Sequence, residues 1–122
     1  MIHGSVVGLQ ARINVLIRLD DGADIEAEFI VDTGFEGFLT LPPKMVAQFK
    51  LPFIAKINAN LADNSKTSTN AHSMTIVWNG VEREVIVLAM GLRPLLGTAI
   101  LEDAHLSIDF CEGGIVLVDE IL

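Results

Sequence analysis

The sequence has little cysteine and few basic residues, and each scarcity excludes a kind of site or partner. Its single cysteine, Cys111, can form neither an internal disulfide nor a metal site built on paired cysteines. Eight Lys and Arg residues stand against sixteen Asp and Glu residues, which gives a formal net charge of -8. Because nucleic-acid backbones and anionic membrane surfaces attract basic patches, we expect no nucleic-acid and no membrane partner.

Long hydrophobic runs and a leader pattern are also missing from the sequence. The longest apolar run, residues 85–90, is far too short to span a membrane. The N-terminus shows no basic region followed by an apolar core, so we expect no signal peptide and a cytoplasmic location. With 122 residues, of which 51% are hydrophobic, the chain fits one folded domain.

The sequence does contain the alternating pattern of half-buried strands. Apolar and polar residues alternate over residues 11–19 and again over 25–31, and the turn signal D-D-G at residues 20–22 joins the two. The N-G pair at residues 79–80 lies between two further apolar stretches and predicts a second hairpin. We therefore expect a mostly β protein whose short strands form a closed or partly closed sheet.

Two short helices and one polar segment complete the pattern. Two consecutive prolines open a predicted helix over residues 44–49, because proline is tolerated in the first helical turn. A second helix is predicted over residues 99–104, with Thr98 as its N-cap. Residues 62–73 are the most polar stretch, which fits either a plain surface loop or the tip of a mobile hairpin.

Residues 29–41, which read F-I-V-D-T-G-F-E-G-F-L-T-L, contain the candidate reactive group. Three apolar residues run into Asp32, and an acid at the end of a buried strand is costly unless it is paired or hydrogen-bonded. Gly34 and Gly37 permit backbone geometry that other residues resist. Asp32, Thr33 and Gly34 are therefore expected on a sharp loop that holds one carboxylate at a fixed point in a cleft.

A second motif, Leu95-Leu96-Gly97, precedes the second predicted helix. A strand that ends in D-T-G-F at residues 32–35, then an apolar strand, a short helix and this second motif, resembles the retropepsin-like (clan AA) aspartic proteases. The likeness is greatest to small single-domain prokaryotic members and covers nearly the whole chain. It implies one retropepsin-like protease domain over residues 1–122, a closed β-barrel-like half-lobe with one or two short helices.

The resemblance also implies a mechanism and a partner. Two aspartates share a proton and bind one water; one carboxylate activates the water while the other acid protonates the substrate carbonyl. Because this chain has one D-T-G, the pair requires a twofold homodimer in which Asp32 meets its symmetry mate. Thr33 would hydrogen-bond across the interface, and Gly34 would let backbone groups approach the carboxylates. The substrate would be a peptide or protein, with no cofactor and no metal.

The same resemblance assigns the polar segment to a flap that closes over substrate, with Asp63, Asn64 and Ser65 as candidates for substrate contact. Unlike retroviral flaps, the segment contains no glycine, and the chain has no tyrosine to serve as a pepsin-like flap tyrosine. Phe35 occupies a position where retroviral enzymes carry a small residue. Its ring is expected either to narrow the site or to pack into the core.

Three functions compete on these grounds. The intact D-T-G favours a homodimeric aspartic endopeptidase, whereas the glycine-free flap favours a non-catalytic dimeric module that binds a peptide in the same cleft. A third reading is a subunit of a larger assembly joined through its sheet edges. For a dimer, the interface is expected to include the D-T-G loops and the chain termini, since residues 115–118 and 121–122 form an apolar end that would otherwise expose a sheet edge.

The remaining reactive side chains have simpler interpretations. His3, His72 and His105 share no metal-ligand spacing, so three separate histidines are expected rather than a site. Cys111 has a histidine six residues before it, but a buried structural thiol is preferred to a cysteine nucleophile.

Overall fold

The computed structural model describes residues 1–60 and 63–121, which form ten strands, one α-helix and one 3₁₀ helix. The strands are β1 (Ile2–Val7), β2 (Gln10–Arg18), β3 (Asp24–Val31), β4 (Leu39–Leu41), β5 (Phe53–Asn60), β6 (Lys66–Trp78), β7 (Val81–Ala89), β8 (Leu95–Leu96), β9 (Ala104–Ile108) and β10 (Ile115–Glu120). The helix α1 spans Pro43–Gln48, and the 3₁₀ helix spans Thr98–Leu101. Neither described helix has the length or the apolar character needed to cross a bilayer.

The strands form one sheet that closes on itself. Its order is β5-β6-β7-β4-β8-β3-β2-β1-β10-β9, and an additional pairing of β6 with β2 joins two strands that are distant in that order. The segment from β6 through to β2 is thereby closed into a ring, with β1, β10 and β9 continuing on one side. The ring encloses the core, whose largest fully buried side chains include Phe29, Ile13, Ile17, Leu39 and Ile76. The expected closed, mostly β architecture is confirmed.

The predicted hairpins form where turn chemistry and alternation agree. On β2 every second residue is buried, and on β3 Ala27 and Phe29 are buried. The two strands pair antiparallel from Arg12↔Ile30 to Arg18↔Asp24. Asn79 and Gly80 connect β6 to β7 with φ values of 52° and 80°, the left-handed geometry that a two-residue hairpin turn requires. Asp32 directly follows the last residue of β3 in the β2–β3 hairpin.

The first predicted helix is present as α1, but the second is wrong. Residues 98–101 form a single 3₁₀ turn, and β9 follows at once. Thr98 lies inside that turn rather than at its N-cap. The N-cap position is occupied by Gly97, which has no side chain with which to cap the turn. The physical reason for the early end is Asp103, whose φ of 61° is left-handed and cannot continue a helix.

The polar segment is strand for most of its length, so a plain surface loop is wrong and a hairpin is right. Residue 62 lies outside the described residues, whereas residues 66–73 belong to β6, which pairs with β5. Thr69 and Ala71 are buried, and the Thr69 hydroxyl donates to the Ala89 carbonyl oxygen at 2.9 Å. Pairing of β6 with β7 begins at Asn70, so the part of the β5–β6 hairpin beyond that residue is a two-stranded arm.

The C-terminal strand is enclosed within the sheet, contrary to the expectation that it would otherwise expose an edge. β10 pairs with β1 on one side, from Ile2↔Val118 to Ser5↔Ile115, and with β9 on the other. Among the described strands, β9 therefore ends this side of the sheet. Residue 122, which belonged to the expected apolar end, lies outside the described residues.

Cys111 is exposed, so the expected buried thiol is wrong. It lies in the tight connection between β9 and β10, where its N–H donates to the Asp109 carbonyl oxygen at 2.9 Å and its own carbonyl accepts from Gly114 at 2.8 Å. Because the residue lies in a connection between strands and on neither strand, no alternation of buried faces places its side chain in the core.

Candidate active site

The two sequence motifs meet through a short parallel pairing. β8 lies between β3, to which it is parallel with Ile30↔Leu95 in register, and β4, to which it is antiparallel. The Asp32 N–H donates to the Leu96 carbonyl oxygen at 2.9 Å, which extends this pairing by one bond into the D-T-G loop. The loop that presents Asp32 is thus fixed by the strand that carries Leu95 and Leu96.

The loop geometry fixes the carboxylate of Asp32. The Gly34 N–H donates to Asp32 Oδ1 at 2.9 Å, and the Phe35 N–H donates to the Asp32 carbonyl oxygen at 3.1 Å. Asp32 is half-buried, whereas Thr33 and Gly34 are exposed. One carboxylate oxygen is therefore oriented by the backbone while the group as a whole remains accessible from the groove, as a reactive acid requires.

Two glycines and one aromatic ring form the support behind the loop. A Cβ on Gly97 would lie 2.2 Å from the Gly37 carbonyl oxygen and 2.5 Å from Cδ2 of Phe35. A Cβ on Gly37 would lie 2.5 Å from Cζ of the same ring. The ring of Phe35 therefore packs over both glycines. Phe35 is half-buried and belongs neither to the described groove lining nor to the core, so the ring packs against the motif loops instead, and this explains why the loop contains a second glycine.

Backbone hydrogen bonds join the two motif loops to each other. The Gly97 N–H donates to the Phe38 carbonyl oxygen at 2.8 Å, the Thr98 N–H to Phe35 at 2.8 Å, and the Ala99 N–H to Gly37 at 3.1 Å. The 3₁₀ helix thus begins directly against the D-T-G loop. Because these bonds require close backbone approach, the motif's glycine is needed for structure whatever the chemistry is.

Asp32 opens into a groove of about 610 Å³. Its polar lining comes from Gln10, Thr33 and Arg93 together with Asp32. Its apolar lining includes Leu9, Ala11, Ile30, Leu95, Ile108 and Phe110. A second depression, of about 580 Å³ beside the chain termini, contains neither motif. An apolar groove with a few polar groups around one acid has the general character of a ligand-binding site.

The flap candidates are placed at the tip of the β5–β6 hairpin and do not line the described groove. Asp63 Oδ1 accepts from the Ser65 N–H at 2.9 Å and from the Ser65 hydroxyl at 2.5 Å. These two bonds, the side-chain bond first, hold the pKa of the Asp63 carboxyl below its ordinary value. Asn64 takes a φ of 66°, the left-handed conformation that a glycine would otherwise supply.

Sequence reasoning missed the residues that form the walls of the groove. Leu9 comes from the β1–β2 turn, Gln10 from the start of β2, Arg93 from the turn before β8, and Phe110 from the turn after β9. These turns are far apart in the chain and none carries a motif. The φ of 62° at Leu9, a non-glycine residue, has no signature that a pattern of apolar residues can reveal.

Comparison with solved structures identifies the fold. A crystal structure of a retropepsin-like aspartic protease from Rickettsia conorii superposes with a TM-score of 0.59 and 16% sequence identity, over 96% of this chain and 89% of that chain. The EIAV protease in complex with the inhibitor HBY-793 superposes with a TM-score of 0.52 and 18% identity, over 80% of this chain and 92% of that chain. The chain therefore has the retropepsin-like aspartic protease fold.

Sequence comparison alone does not find this likeness. No protein-family model and no curated protein matches the chain. The structural superpositions carry the assignment of the fold, since identities this low leave little for a sequence search to detect.

Replacement of Gly97 tests the support behind the loop. Gly97→Ala should lower the free energy of unfolding by about 3 kcal/mol, at the upper end of the cost of overpacking, because the new Cβ meets backbone oxygen rather than a flexible side chain. Urea unfolding measures it. Gly22→Ala is the control: its φ is 87° but nothing lies within 4 Å of the added Cβ, so about 1 kcal/mol is expected. Equal losses in the two variants would contradict the contact.

The hairpin tip should keep its turn in acid. Because the folded pKa of Asp63 is depressed, the turn's contribution is fully present above the pKa of a free aspartate and is lost only as the pH falls through the lower folded value. An NMR titration of the Asp63 carboxyl should therefore show a midpoint below that of a free aspartate. Ser65→Ala should raise the midpoint, because the hydroxyl donor is lost. Ser68→Ala, an exposed serine on β6, should leave it unchanged.

Proposed function

We propose that residues 1–122 form one aspartic endopeptidase domain that acts as a homodimer and hydrolyses peptide bonds with a water activated by two copies of Asp32. The observation that carries this proposal is the position of Asp32. It follows a buried strand, receives an N–H bond on Oδ1 at 2.9 Å, and lines an apolar groove. The retropepsin-like fold supports the same reading, because Asp32 lies in the D-T-G loop that the fold family uses for catalysis.

The chemistry explains why a second chain is needed. Hydrolysis requires a base that takes a proton from water and an acid that gives one to the carbonyl oxygen. One chain supplies one such carboxyl group. Two of them across a twofold axis share a single proton, since like charges held that close cannot both ionise. Each Asp32 then alternates between the roles of base and acid. The proton balance requires no cofactor.

The rim of the groove supports association through the D-T-G loops. Leu9 is 70% exposed and Phe110 is 63% exposed, and both line the groove around Asp32. Large apolar side chains grouped beside an incomplete site are candidates for burial in an interface. Thr33 is exposed at the same place and is available for the cross-chain hydrogen bond that the resemblance implies. The chain termini stay part of the proposed interface: β10 is paired on both sides within one chain, and Ile115 and Ile121 remain exposed.

The alternative of a non-catalytic peptide-binding module rests on the glycine-free tip. The conformation of Asn64 weakens that argument, because asparagine tolerates the left-handed region and takes it here with a φ of 66°. The arm beyond Asn70 is two-stranded, and isolated two-stranded hairpins are marginally stable. An arm of this kind suits a flap, with Asp63, Asn64 and Ser65 reaching the substrate when it closes.

Replacing the acid separates the enzyme from the binding module. Asp32→Asn should lower cleavage of a denatured protein substrate by about 100-fold or more, because an amide cannot act as the base. Wild-type activity should pass through a maximum between pH 3 and 8 and fall on both sides, since the pair works with one proton; the range is roughly that in which coupled carboxyls titrate. Glu36→Gln, a neighbouring exposed acid, is the matched control and should keep activity. Equal cleavage by Asp32→Asn and wild type would refute the assignment.

Sedimentation velocity tests the dimer and its surface. The wild-type chain should sediment as a dimer at high micromolar concentration. Phe110→Asp should weaken association about tenfold or more, because a charge would enter a desolvated contact. Phe53→Asp is the control, since Phe53 is 59% exposed but lies on β5 away from the groove lining. A monomeric wild type, or equal weakening by both changes, would contradict association through the rim.

A further inference from the structure

One wall of the groove carries a cation that the proposed chemistry does not use. Arg93 lies in the turn between β7 and β8 and lines the groove together with Asp32. Its guanidinium NH1 donates to Gln10 Oε1 at 3.2 Å. The side chain is exposed, so the groove, not the core, is its environment.

Gln10 lines the same groove as Asp32. It is the first residue of β2, two residues before Arg12, whose register partner on β3 is Ile30. Residues at this period share a face of the sheet, and neighbouring strands lie about 4.8 Å apart. The salt bridge between Arg12 and Glu28 at 2.9 Å confirms the shared face. Arg93 is therefore held by a residue one strand away from Asp32.

The charge on Arg93 is not neutralised by the described part of the protein. Arg12 is paired with Glu28 at 2.9 Å, and Arg18 is paired with both Asp24 and Glu82. No carboxylate of the described residues lies within salt-bridge distance of Arg93, although acidic residues outnumber basic ones by sixteen to eight.

Gln10 orients Arg93 without neutralising it. Its Oε1 also accepts from NH2 of Arg12 at 3.1 Å, so one neutral amide oxygen serves two guanidinium groups. Such a shared bond at an accessible site is weak compared with a charge-assisted bond to a carboxylate. A carboxylate that entered the groove would therefore replace Gln10 as the better partner of Arg93.

We infer that Arg93, positioned by Gln10, is a specificity determinant that selects peptides with an acidic side chain close to the scissile bond. This inference rests on the proposed function and names its substrate class. The planar guanidinium offers paired donors that match the two oxygens of Asp or Glu. Because an extended peptide advances about 3.3 Å per residue, the acidic residue should lie within about two positions of the bond that is cleaved.

The overall negative charge does not oppose this preference. At physiological salt the screening length is about 8 Å, so distant acidic groups repel a substrate weakly while a contact ion pair persists. The groove residues that surround Arg93 are otherwise uncharged apart from Asp32. Two carboxyls that share one proton leave a single negative charge near the bond. The guanidinium of Arg93 is therefore the main positive charge that a substrate carboxylate would meet in the groove.

Matched peptides test the inference directly. Pairs of peptides that differ only in Asp against Asn, or Glu against Gln, at each position near the cleavage site give kcat/KM ratios. Wild type should prefer one acidic peptide by about tenfold, a modest value for a charge-assisted bond at an exposed site. Arg93→Gln should abolish this ratio by lowering kcat/KM for the acidic peptide, and Arg93→Lys should retain part of the ratio. Arg83→Gln removes the same charge from β7, outside the groove lining, and should leave the ratio unchanged.

The pH and salt dependence exclude a merely structural role. The preference should disappear as the pH falls below about 4, where the carboxyl of the peptide loses its charge, and it should shrink at high salt. A preference that Arg93→Gln leaves intact would overturn the inference. Equal cleavage of acidic and amide peptides would overturn it while leaving the proposed function in place.

A binding assay distinguishes the two proposals even if the wild-type chain cleaves no peptide. Fluorescence anisotropy of the same labelled peptide pairs on the wild-type chain reports affinity without catalysis. Tighter binding of the acidic peptide, lost in Arg93→Gln and kept in Arg83→Gln, would support the role of Arg93 while refuting the peptidase. Equal binding of both peptides would refute the role of Arg93 as well.

Discussion

The backbone contact between Gly97 and Gly37 is the constraint on which the rest of the site depends. A methyl group on Gly97 would come within 2.2 Å of the Gly37 carbonyl oxygen, so the two motif loops can approach only as glycines. That approach allows the amides of residues 97–99 to bond the D-T-G loop and lets β8 insert between β3 and β4. The position of Asp32 follows from it, because its N–H is held by β8 at 2.9 Å. Packing of Phe35 over both glycines then fills the space that the missing side chains leave.

Local pattern was sufficient for the parts of the fold in which side-chain period and turn chemistry agree. The strands on either side of residues 20–22 and 79–80 are of this kind, because alternation fixes their faces and the turns fix their register. It failed over residues 99–104, where a run of helix formers is interrupted by the left-handed Asp103. Over residues 66–73 it left a loop and a hairpin open, and pairing with β5 and β7 decides for the hairpin. There the partner strands, and not local polarity, set the conformation.

The candidate site also has a part that could be predicted from the sequence and a part that could not. Asp32, Thr33 and Gly34 could be proposed from the sequence because an acid at the end of an apolar strand contradicts ordinary burial. Nothing in the sequence indicated that Leu96 would accept a bond from the Asp32 N–H, which the structure shows at 2.9 Å. The walls of the groove were not identifiable, because Gln10 and Arg93 are brought together by a register and a turn that leave no mark on either local sequence. A costly local arrangement, such as an acid at the end of an apolar strand, is easier to identify from a sequence than a contact between residues that are distant in the chain.

β10 is enclosed between β1 and β9. The rim of the groove is proposed to serve both in dimerisation and in peptide binding. The exposed apolar side chains of Leu9 and Phe110 line the groove, and those of Ile115 and Ile121 are exposed near the C-terminus. A second chain and a peptide would then cover neighbouring parts of one surface. Any ligand that binds the dimer in preference to the monomer favours assembly, and the linkage is reciprocal. Under the proposed function, a substrate that spans the twofold axis would therefore stabilise the dimer, and assembly and catalysis would depend on the same contacts around Asp32.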